Sequence, residues 1–213
     1  PILKLGACRV ADDVKLAAKA GADAIVVDSM VAGTGASAEV LLDHSGIPTV
    51  PAIVLAREAL KEIGLYRKVS LIASGGIRSG ADVAKALALG ADACAIGVAA
   101  LIALNCNRDI PESNFEKEIG LPAGSCNRCH TGKCPVGIAT QDPALVKRLD
   151  PDEGAERVAN FLNSMTMELA LLTRSLGKSD IKSLEPEDLA ALTIEASAMA
   201  QLPLVGTSKV FGM

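Results

Sequence analysis

The sequence predicts an α/β fold built from parallel βαβ units, and three observations support this prediction. Four short apolar runs lack strict alternation, which is typical of strands covered on both faces. Amphipathic segments at helical spacing separate these runs. The motif Gly-Ala-Asp-Ala occurs at residues 21–24 and again at residues 90–93, each time between a predicted helix and a predicted strand. Strands that alternate with helices in this way form parallel sheets.

The elements follow one another in a regular order. Strands are predicted at residues 2–6, 24–28, 69–74 and 93–97, and helices between them at residues 12–19, 52–63 and 80–89. Gly21 and Gly90 mark two helix ends, because glycine readily adopts the left-handed conformation found just past a helix C-terminus. After residue 104 a polar stretch leads into a cysteine-rich segment. A helical tail follows, with helices predicted at residues 153–175 and 186–201.

Within the first hundred residues, glycines at the ends of two predicted strands indicate a binding site. Gly75 and Gly76 follow the third predicted strand, and Gly97 ends the fourth. In many (β/α)8 barrels the loops after strands seven and eight bind phosphate through backbone N–H groups, which glycine lets an anion approach closely. We therefore interpret the four strands as the last four of such a barrel, rather than as a doubly wound sheet. The first half would come from missing residues or from another chain.

Composition excludes several classes of protein. The formal net charge is −4, and the chain has three Phe, one Tyr and no Trp. No basic stripe interleaves with aromatic residues, so we expect no nucleic-acid partner. No apolar run reaches the roughly 18 residues of a membrane span, and nothing at the N-terminus resembles a signal peptide. We therefore expect a cytoplasmic protein without a membrane partner.

The cysteines form the most specific motif of the chain. Cys126, Cys129 and Cys134 lie within nine positions and Pro135 follows them, while Cys106 lies about twenty positions upstream. Four thiolates suit a zinc ion or an iron–sulfur cluster. A single Cys-x2-Cys knuckle and the closing Cys-Pro step favour iron, because structural zinc sites usually pair two knuckles. The alternatives are a loop of thiols and a disulfide, which is rare in the cytosol.

The two other cysteines lie in or beside strand-like runs. Cys8 follows the first predicted strand and Cys94 lies within the fourth. We expect both to be small buried side chains, because a cysteine in an apolar run usually behaves as a hydrophobic residue.

Several motifs, in order along nearly the whole chain, match one family. They are Leu3-Lys4-Leu5, Gly33-Thr34-Gly35-Ala36-Ser37, the Ser-Gly-Gly-Ile-Arg-Ser-Gly-Ala-Asp-Val segment at residues 74–83, the segment at residues 96–104, the Cys-His-Thr-Gly-Lys-Cys-Pro-Val-Gly segment at residues 129–137, and the Leu-Glu-Pro-Glu-Asp-Leu segment at residues 184–189. The chain thus resembles the C-terminal portion of the FMN-binding synthase domain of glutamate synthase, especially the compact, archaeal-type form.

The resemblance implies a reductive amination. Ammonia, released from glutamine by a glutaminase domain or subunit, would add to 2-oxoglutarate, and reduced FMN would deliver a hydride to give glutamate. Electrons would come from an NAD(P)H- or ferredoxin-dependent donor subunit through an iron–sulfur cluster. No Gly-x-Gly-x-x-Gly motif follows a strand here, so a nicotinamide site is expected elsewhere. Two alternatives stay open: an N-methylglutamate-synthase-like enzyme that takes an amine such as methylamine, and a non-catalytic assembly module that carries the cluster.

The resemblance also implies roles for individual residues. Lys4 matches the active-site lysine, whose ammonium group near the N1–C2 edge of the flavin would stabilise the negative charge of reduced FMN. Gly33 and Thr34 belong to a loop that would enclose flavin and substrate. The phosphate-binding site is assigned to Gly75, Gly76, Gly97 and Val98, with Arg78 as a candidate ion partner.

The cluster type stays open at this point. Cys106, Cys129 and Cys134 match the three ligands of a 3Fe–4S cluster in the large enzymes of the family, and Cys126 is additional. Either all four thiols hold a 4Fe–4S cluster, or Cys126 replaces Cys106 in a three-iron centre.

Three regions of the chain are expected from these observations. Residues 1–104 form the C-terminal half of an FMN-binding (β/α)8 barrel, residues 105–141 form the iron–sulfur cysteine loop, and residues 142–213 form a helical C-terminal extension of the same domain.

Overall fold

The structure is a computed structural model that describes residues 1–33, 37–106 and 129–212. Its contacts divide the chain into two compact units. The first comprises Pro1–Ala32, Val40–Ile96 and Met165–Met213, and the second comprises Gly33–Glu39 and Gly97–Ser164. The three-region division predicted from the sequence stays a prediction, because residues 107–128 of the cysteine loop lie outside the described ranges.

Four parallel strands form the sheet of the first unit. They are β1 (Ile2–Gly6), β2 (Ala24–Asp28), β3 (Ser70–Ser74) and β4 (Ala93–Ala95), in the order β1-β2-β3-β4. The α/β prediction is confirmed, and each predicted strand lies within two residues of its expected bounds. A doubly wound sheet reverses its strand order, whereas these four described strands follow one another in sequence.

Helices and short 3₁₀ turns connect and follow the strands. In the described part of the chain, the α-helices are α1 (Val10–Lys19), α2 (Glu39–His44), α3 (Thr49–Glu62), α4 (Gly80–Ala88), α5 (Val98–Ala103), α6 (Pro143–Val146), α7 (Pro151–Ser175) and α8 (Ile194–Ala200). The 3₁₀ turns are Met30–Ala32, Cys129–Thr131, Ile181–Ser183 and Pro186–Asp188. Within the described residues, no helix has both the length and the apolarity that crossing a membrane requires.

The core of the first unit lies on one face of the sheet. Ile25 and Val27 of β2 and Leu71 and Ala73 of β3 are at most 3% exposed. They face α1 and α3, the helices packed against these strands. Since successive residues of a strand point to opposite faces, Val26, Asp28, Ile72 and Ser74 lie on the second face. That second face therefore carries polar groups at its carboxyl edge.

The segment that was predicted as one helix at residues 186–201 has a different structure. A 3₁₀ turn ends at Asp188, and α8 begins only at Ile194. Between them the Ala191 backbone donates to the Pro203 carbonyl over 3.1 Å and accepts from the Val205 N–H over 2.8 Å. These hydrogen bonds require an extended Ala191, so the prediction of a continuous helix is wrong.

A tight turn and hydrogen bonds within residues 132–148 stabilise part of the second unit. Gly137 has a φ of +83°, and a Cβ there would lie 2.6 Å from the Leu145 carbonyl. The Arg148 guanidinium donates to the Pro135 carbonyl over 3.0 Å. Thr140 donates to the Gly132 carbonyl over 2.5 Å. These contacts connect the segment that follows Cys129 to α6 and to the residues directly after it.

A substitution at Gly80 tests the packing of α4 against α7. A Cβ at Gly80 would overlap the Met165 carbonyl and lie 2.7 Å from the Leu169 nitrogen, both of which are backbone atoms. Alanine favours a helix by about 1 kcal/mol over glycine, but overpacking of this kind costs about 1–3 kcal/mol. We therefore expect Gly80→Ala to lower the melting temperature, by about 2–4 °C for each kcal/mol lost.

Gly6→Ala is the matched control, because a Cβ at Gly6 would meet no described atom within 4 Å. Circular dichroism melts of both variants measure the difference. An unchanged melting temperature for Gly80→Ala would contradict the close approach of the two helices.

Candidate functional site

Three polar side chains from three neighbouring strands meet at the carboxyl edge of the sheet. The Lys4 ammonium lies 2.7 Å from Oδ2 of Asp28. The Ser74 hydroxyl donates to Oδ1 of the same carboxylate over 2.5 Å. Asp28 and Ser74 are the last residues of β2 and β3 and lie opposite each other in the register. The Asp28 carboxylate therefore links β1, β2 and β3 through their side chains.

The Lys4 ammonium group in this ion pair remains accessible to a ligand in front of the sheet. Asp28 is 22% exposed, and its charge is compensated by an ammonium group and a hydroxyl group, as a partly buried carboxylate requires. The Lys4 side chain is 61% exposed. Because an ammonium group has three N–H donors, Lys4 can contact Asp28 and a ligand at the same time.

The turn after β3 has the conformation that its glycines predict. Gly75 and Gly76 have φ values of +111° and +71°. A Cβ at Gly75 would overlap the Ser29 hydroxyl oxygen and lie 3.1 Å from the Ala32 Cβ. Close packing of the loop after β2 is thus sufficient reason for glycine at position 75. Gly76 is exposed, so its backbone is open to solvent.

The N-terminus of α4 is occupied by carboxylates of the same chain. Oδ2 of Asp82 accepts from the N–H groups of Arg78 and Ser79 over 3.0 and 3.2 Å, as part of a capping box with the Ser79 hydroxyl. The Gly80 N–H donates to Oε2 of Glu168 over 2.7 Å. A phosphate near this turn would therefore need donors that precede residue 78.

The other predicted flavin-contacting residues have different surroundings. Arg78 is exposed, and Gly33 is half-buried. Thr34 lies outside the described residues. In the second unit, Gly97 precedes α5 and Val98 is its first residue. A Cβ at Gly97 would meet no described atom within 4 Å, so packing gives no reason for glycine there.

The cysteine positions are described in part. Cys134 is 7% exposed, and Cys106 and Cys129 are half-buried. Cys126 lies outside the described residues. Within the described ranges, no three His, Cys, Asp or Glu side chains form a group that could hold a metal ion. The described thiols alone do not make up a ligand set, and the iron–sulfur cluster stays a prediction.

The two remaining cysteines differ from each other. Cys8 is exposed, so the expectation that it is buried is wrong. Its position just after the carboxyl end of β1 places it at the surface. Cys94 is half-buried, and burial, with a smaller effect from the negative charge of Asp82, raises the pKa of its thiol to about 11. Cys94 is therefore a neutral thiol at physiological pH.

Sequence reasoning identified Lys4 but missed Asp28 and Ser74. Both carry a detectable signal, because each is a polar residue that ends an apolar, strand-like run. The carboxyl ends of parallel strands meet at one edge, where ligands of α/β proteins bind. A comparison of strand ends, in addition to glycine turns, would have found them.

A family model for a conserved region in glutamate synthase matches residues 2–111 and 116–179. The chain belongs to the glutamate synthase family. The prediction made from its motifs is thereby confirmed, and the Lys4–Asp28–Ser74 group lies within the matched region.

Individual relatives agree with this assignment. A "Glutamate synthase large subunit-like protein" of Rhizobium meliloti is 53% identical over 206 residues, which are 97% of this chain and 46% of that protein. An "Archaeal glutamate synthase" (NADPH) of Methanocaldococcus jannaschii is 48% identical over 167 residues, which are 78% of this chain and 29% of that protein. The chain therefore spans less than half the length of these glutamate synthase relatives.

Among solved structures, a flavocytochrome b2 variant matches 86% of this chain and 34% of its own, with a TM-score of 0.49 and 22% sequence identity.

Proposed function

We propose that this chain is the synthase part of a glutamate synthase that converts 2-oxoglutarate and ammonia to glutamate by reductive amination. The observation that carries the proposal is the Lys4–Asp28–Ser74 group at the carboxyl edge of a parallel sheet, in a member of this family. Ammonia would come from glutamine through a glutaminase domain or subunit. The name of the Methanocaldococcus relative supports NADPH as the reductant, delivered through a donor subunit; ferredoxin is the alternative donor.

FMN is the cofactor that the site residues fit. Two glycines with positive φ form a turn at the edge of the sheet, and an exposed ammonium group lies on the same edge. A phosphate would be held by backbone N–H groups of Gly75 and Gly76. The family resemblance adds Gly97 and Val98 to the phosphate site and Arg78 as its ion partner. It also places Gly33 and Thr34 in a loop that encloses the flavin. Reduced FMN, when bound, supplies the hydride.

Lys4 has the catalytic role in this proposal. Its ammonium group would stabilise negative charge at the N1–C2 edge of the flavin and meet a carboxylate of 2-oxoglutarate. The contact with Asp28 restricts the direction of the long lysine side chain, and Ser74 in turn restricts the Asp28 carboxylate. A preorganised charge does not have to reorient during the reaction. This preorganisation is the main source of electrostatic catalysis.

An N-terminal half of the barrel is the structural partner in this proposal. Strand β1 is an edge of the described sheet, and its Ile2 and Leu3 side chains are 71% and 42% exposed. An edge strand presents unpaired backbone N–H and C=O groups with which another strand can pair. A fifth and further strands that pair with β1 would complete a (β/α)8 barrel around the Lys4 face.

The cysteine segment supports an iron–sulfur cluster as a separate part of the proposal. The ligands would be drawn from Cys106, Cys126, Cys129 and Cys134, in a 3Fe–4S or 4Fe–4S cluster. The buried position of Cys134 is consistent with a ligand shielded from solvent.

Product analysis tests the proposed reaction. The intact protein with 2-oxoglutarate, ammonia and a reductant is expected to form glutamate. N-Methylglutamate formed from methylamine in preference would instead support the amine-transferring alternative. A protein that binds no FMN and forms neither product would contradict the enzyme proposal and favour the assembly module.

Lys4→Ala tests the role of the ammonium group. We expect a loss of glutamate formation of about 100-fold or more, as for removal of a preorganised charge-stabilising donor. Iron content should be unchanged, because Lys4 has no role in holding metal. Lys68→Ala is the matched control, since Lys68 is an exposed lysine that precedes β3 at the opposite edge of the sheet. Equal loss of activity and iron for Lys4→Ala would show a structural role instead.

Cys134→Ser tests the cluster. We expect iron and acid-labile sulfide to fall in parallel and the EPR signal to be lost or altered, because a serine oxygen is a poor substitute for a thiolate. Cys94→Ser is the control, and it should leave iron unchanged. A wild-type protein that contains zinc and no iron would contradict the proposed iron–sulfur cluster.

A further inference from the structure

The segment formed by Ile47, Pro48 and Thr49 connects the loops that follow three strands. The Ile47 N–H donates to the carbonyl of Ala7, just after β1, over 2.9 Å. The Ile47 carbonyl accepts from the N–H of Met30, after β2, over 3.0 Å. The Thr49 hydroxyl donates to the carbonyl of Gly75, after β3, over 2.8 Å. This segment thus holds three loops together at the edge where the proposed site lies.

The direction of each hydrogen bond around Thr49 follows from its single hydroxyl proton. That proton is used toward the Gly75 carbonyl, so the Thr49 oxygen must accept in its 2.7 Å contact with the Ser29 hydroxyl. Ser29 is therefore the donor in that contact, and it is 5% exposed. The hydrogen bonds that lead from Ser29 through Thr49 to Gly75 are partly buried, and they restrict the groups that they join.

The bond to Gly75 controls the orientation of the peptide group between Gly75 and Gly76. A trans peptide is planar, with its C=O and N–H on opposite sides. Because the Gly75 carbonyl points to Thr49, the Gly76 N–H points away from Thr49. Two glycines in succession rotate easily about φ and ψ, so the Thr49 bond removes a freedom that the sequence itself allows.

The N–H groups further along this turn have other partners. Those of Arg78, Ser79 and Gly80 donate to Asp82 and Glu168. Gly76 is exposed, and its N–H group lies before the three N–H groups that already donate to these carboxylates. An anion at this edge of the sheet would therefore meet the Gly76 N–H in the orientation that Thr49 imposes.

We propose that Thr49 is a positioning residue that orients the Gly76 N–H toward the phosphate of FMN. The inference rests on the proposed function, because it takes FMN as the ligand. It adds a residue on α3 that contacts neither flavin nor substrate and acts through the Gly75 carbonyl.

Paired binding measurements test this role. Riboflavin has the same ring as FMN but no phosphate, so the ratio of the two dissociation constants isolates the phosphate contact. We expect Thr49→Val, which keeps the shape and removes the hydroxyl, to weaken FMN binding to the intact apoprotein about tenfold. Riboflavin binding should change less than about twofold, because the ring makes no use of this turn. Flavin fluorescence quenching gives both constants.

Thr49→Ser is the conservative variant, and it is expected to restore the wild-type ratio because it keeps the hydroxyl group. Ser29→Ala covers the case in which Thr49→Val does not fold. It removes the donor to Thr49 and lets the threonine hydroxyl rotate, so the ratio should fall between the wild-type and valine values.

Three results would overturn the inference. They are an unchanged FMN affinity in Thr49→Val, an equal loss of FMN and riboflavin affinity in that variant, and, if it does not fold, an unchanged ratio in Ser29→Ala. The second result would show a role in stability alone. A wild-type protein that binds riboflavin and FMN equally would contradict the phosphate turn itself, whereas one that binds neither would contradict the proposed function.

Discussion

The Asp28 carboxylate is the interaction on which the proposed site depends. A partly buried negative charge is costly unless it is paired, and here Lys4 and Ser74 provide the pairing from the strands on either side. The parallel register makes this possible, because it brings the last residues of β2 and β3 opposite each other and places Lys4 one diagonal step away. The charge that compensates Asp28 is also the charge proposed to face flavin and substrate.

Backbone geometry at the same edge depends on a second set of polar contacts. Ile47 and Thr49 form hydrogen bonds with the loops after β1, β2 and β3. Asp82 and Glu168 accept hydrogen bonds from backbone N–H groups at the N-terminus of α4. An anion-binding turn made of glycines is flexible by itself, so its orientation must come from neighbours. In this chain those neighbours are the Ile47 backbone and side chains far apart in the sequence, so the site forms only in the folded sheet.

Sequence patterns predicted the strands and most helices because buried parallel strands have near-continuous apolarity and the helices between them are amphipathic. They failed at residues 186–201, where helical spacing was outweighed by hydrogen bonds from Ala191 to a later segment. Lys4 was predictable as a charge within a strand, together with the family resemblance. Asp28, Ser74 and Thr49 were missed because their roles arise from strand register and from contacts over 20 or more positions. Cys126 and Thr34 lie outside the described residues, so their predicted roles still depend on motif and resemblance.

A crystal structure of the intact protein with FMN would show directly where the flavin lies relative to the Lys4–Asp28–Ser74 group. We expect the flavin phosphate within hydrogen-bond distance of the Gly76 N–H, and the Lys4 ammonium, still paired with Asp28, beside the N1–C2 edge of the ring. Flavin bound at the amino edge of the sheet, near Arg67 and Lys68, would contradict this expectation. So would flavin at the carboxyl edge with the Lys4 side chain turned away from the ring.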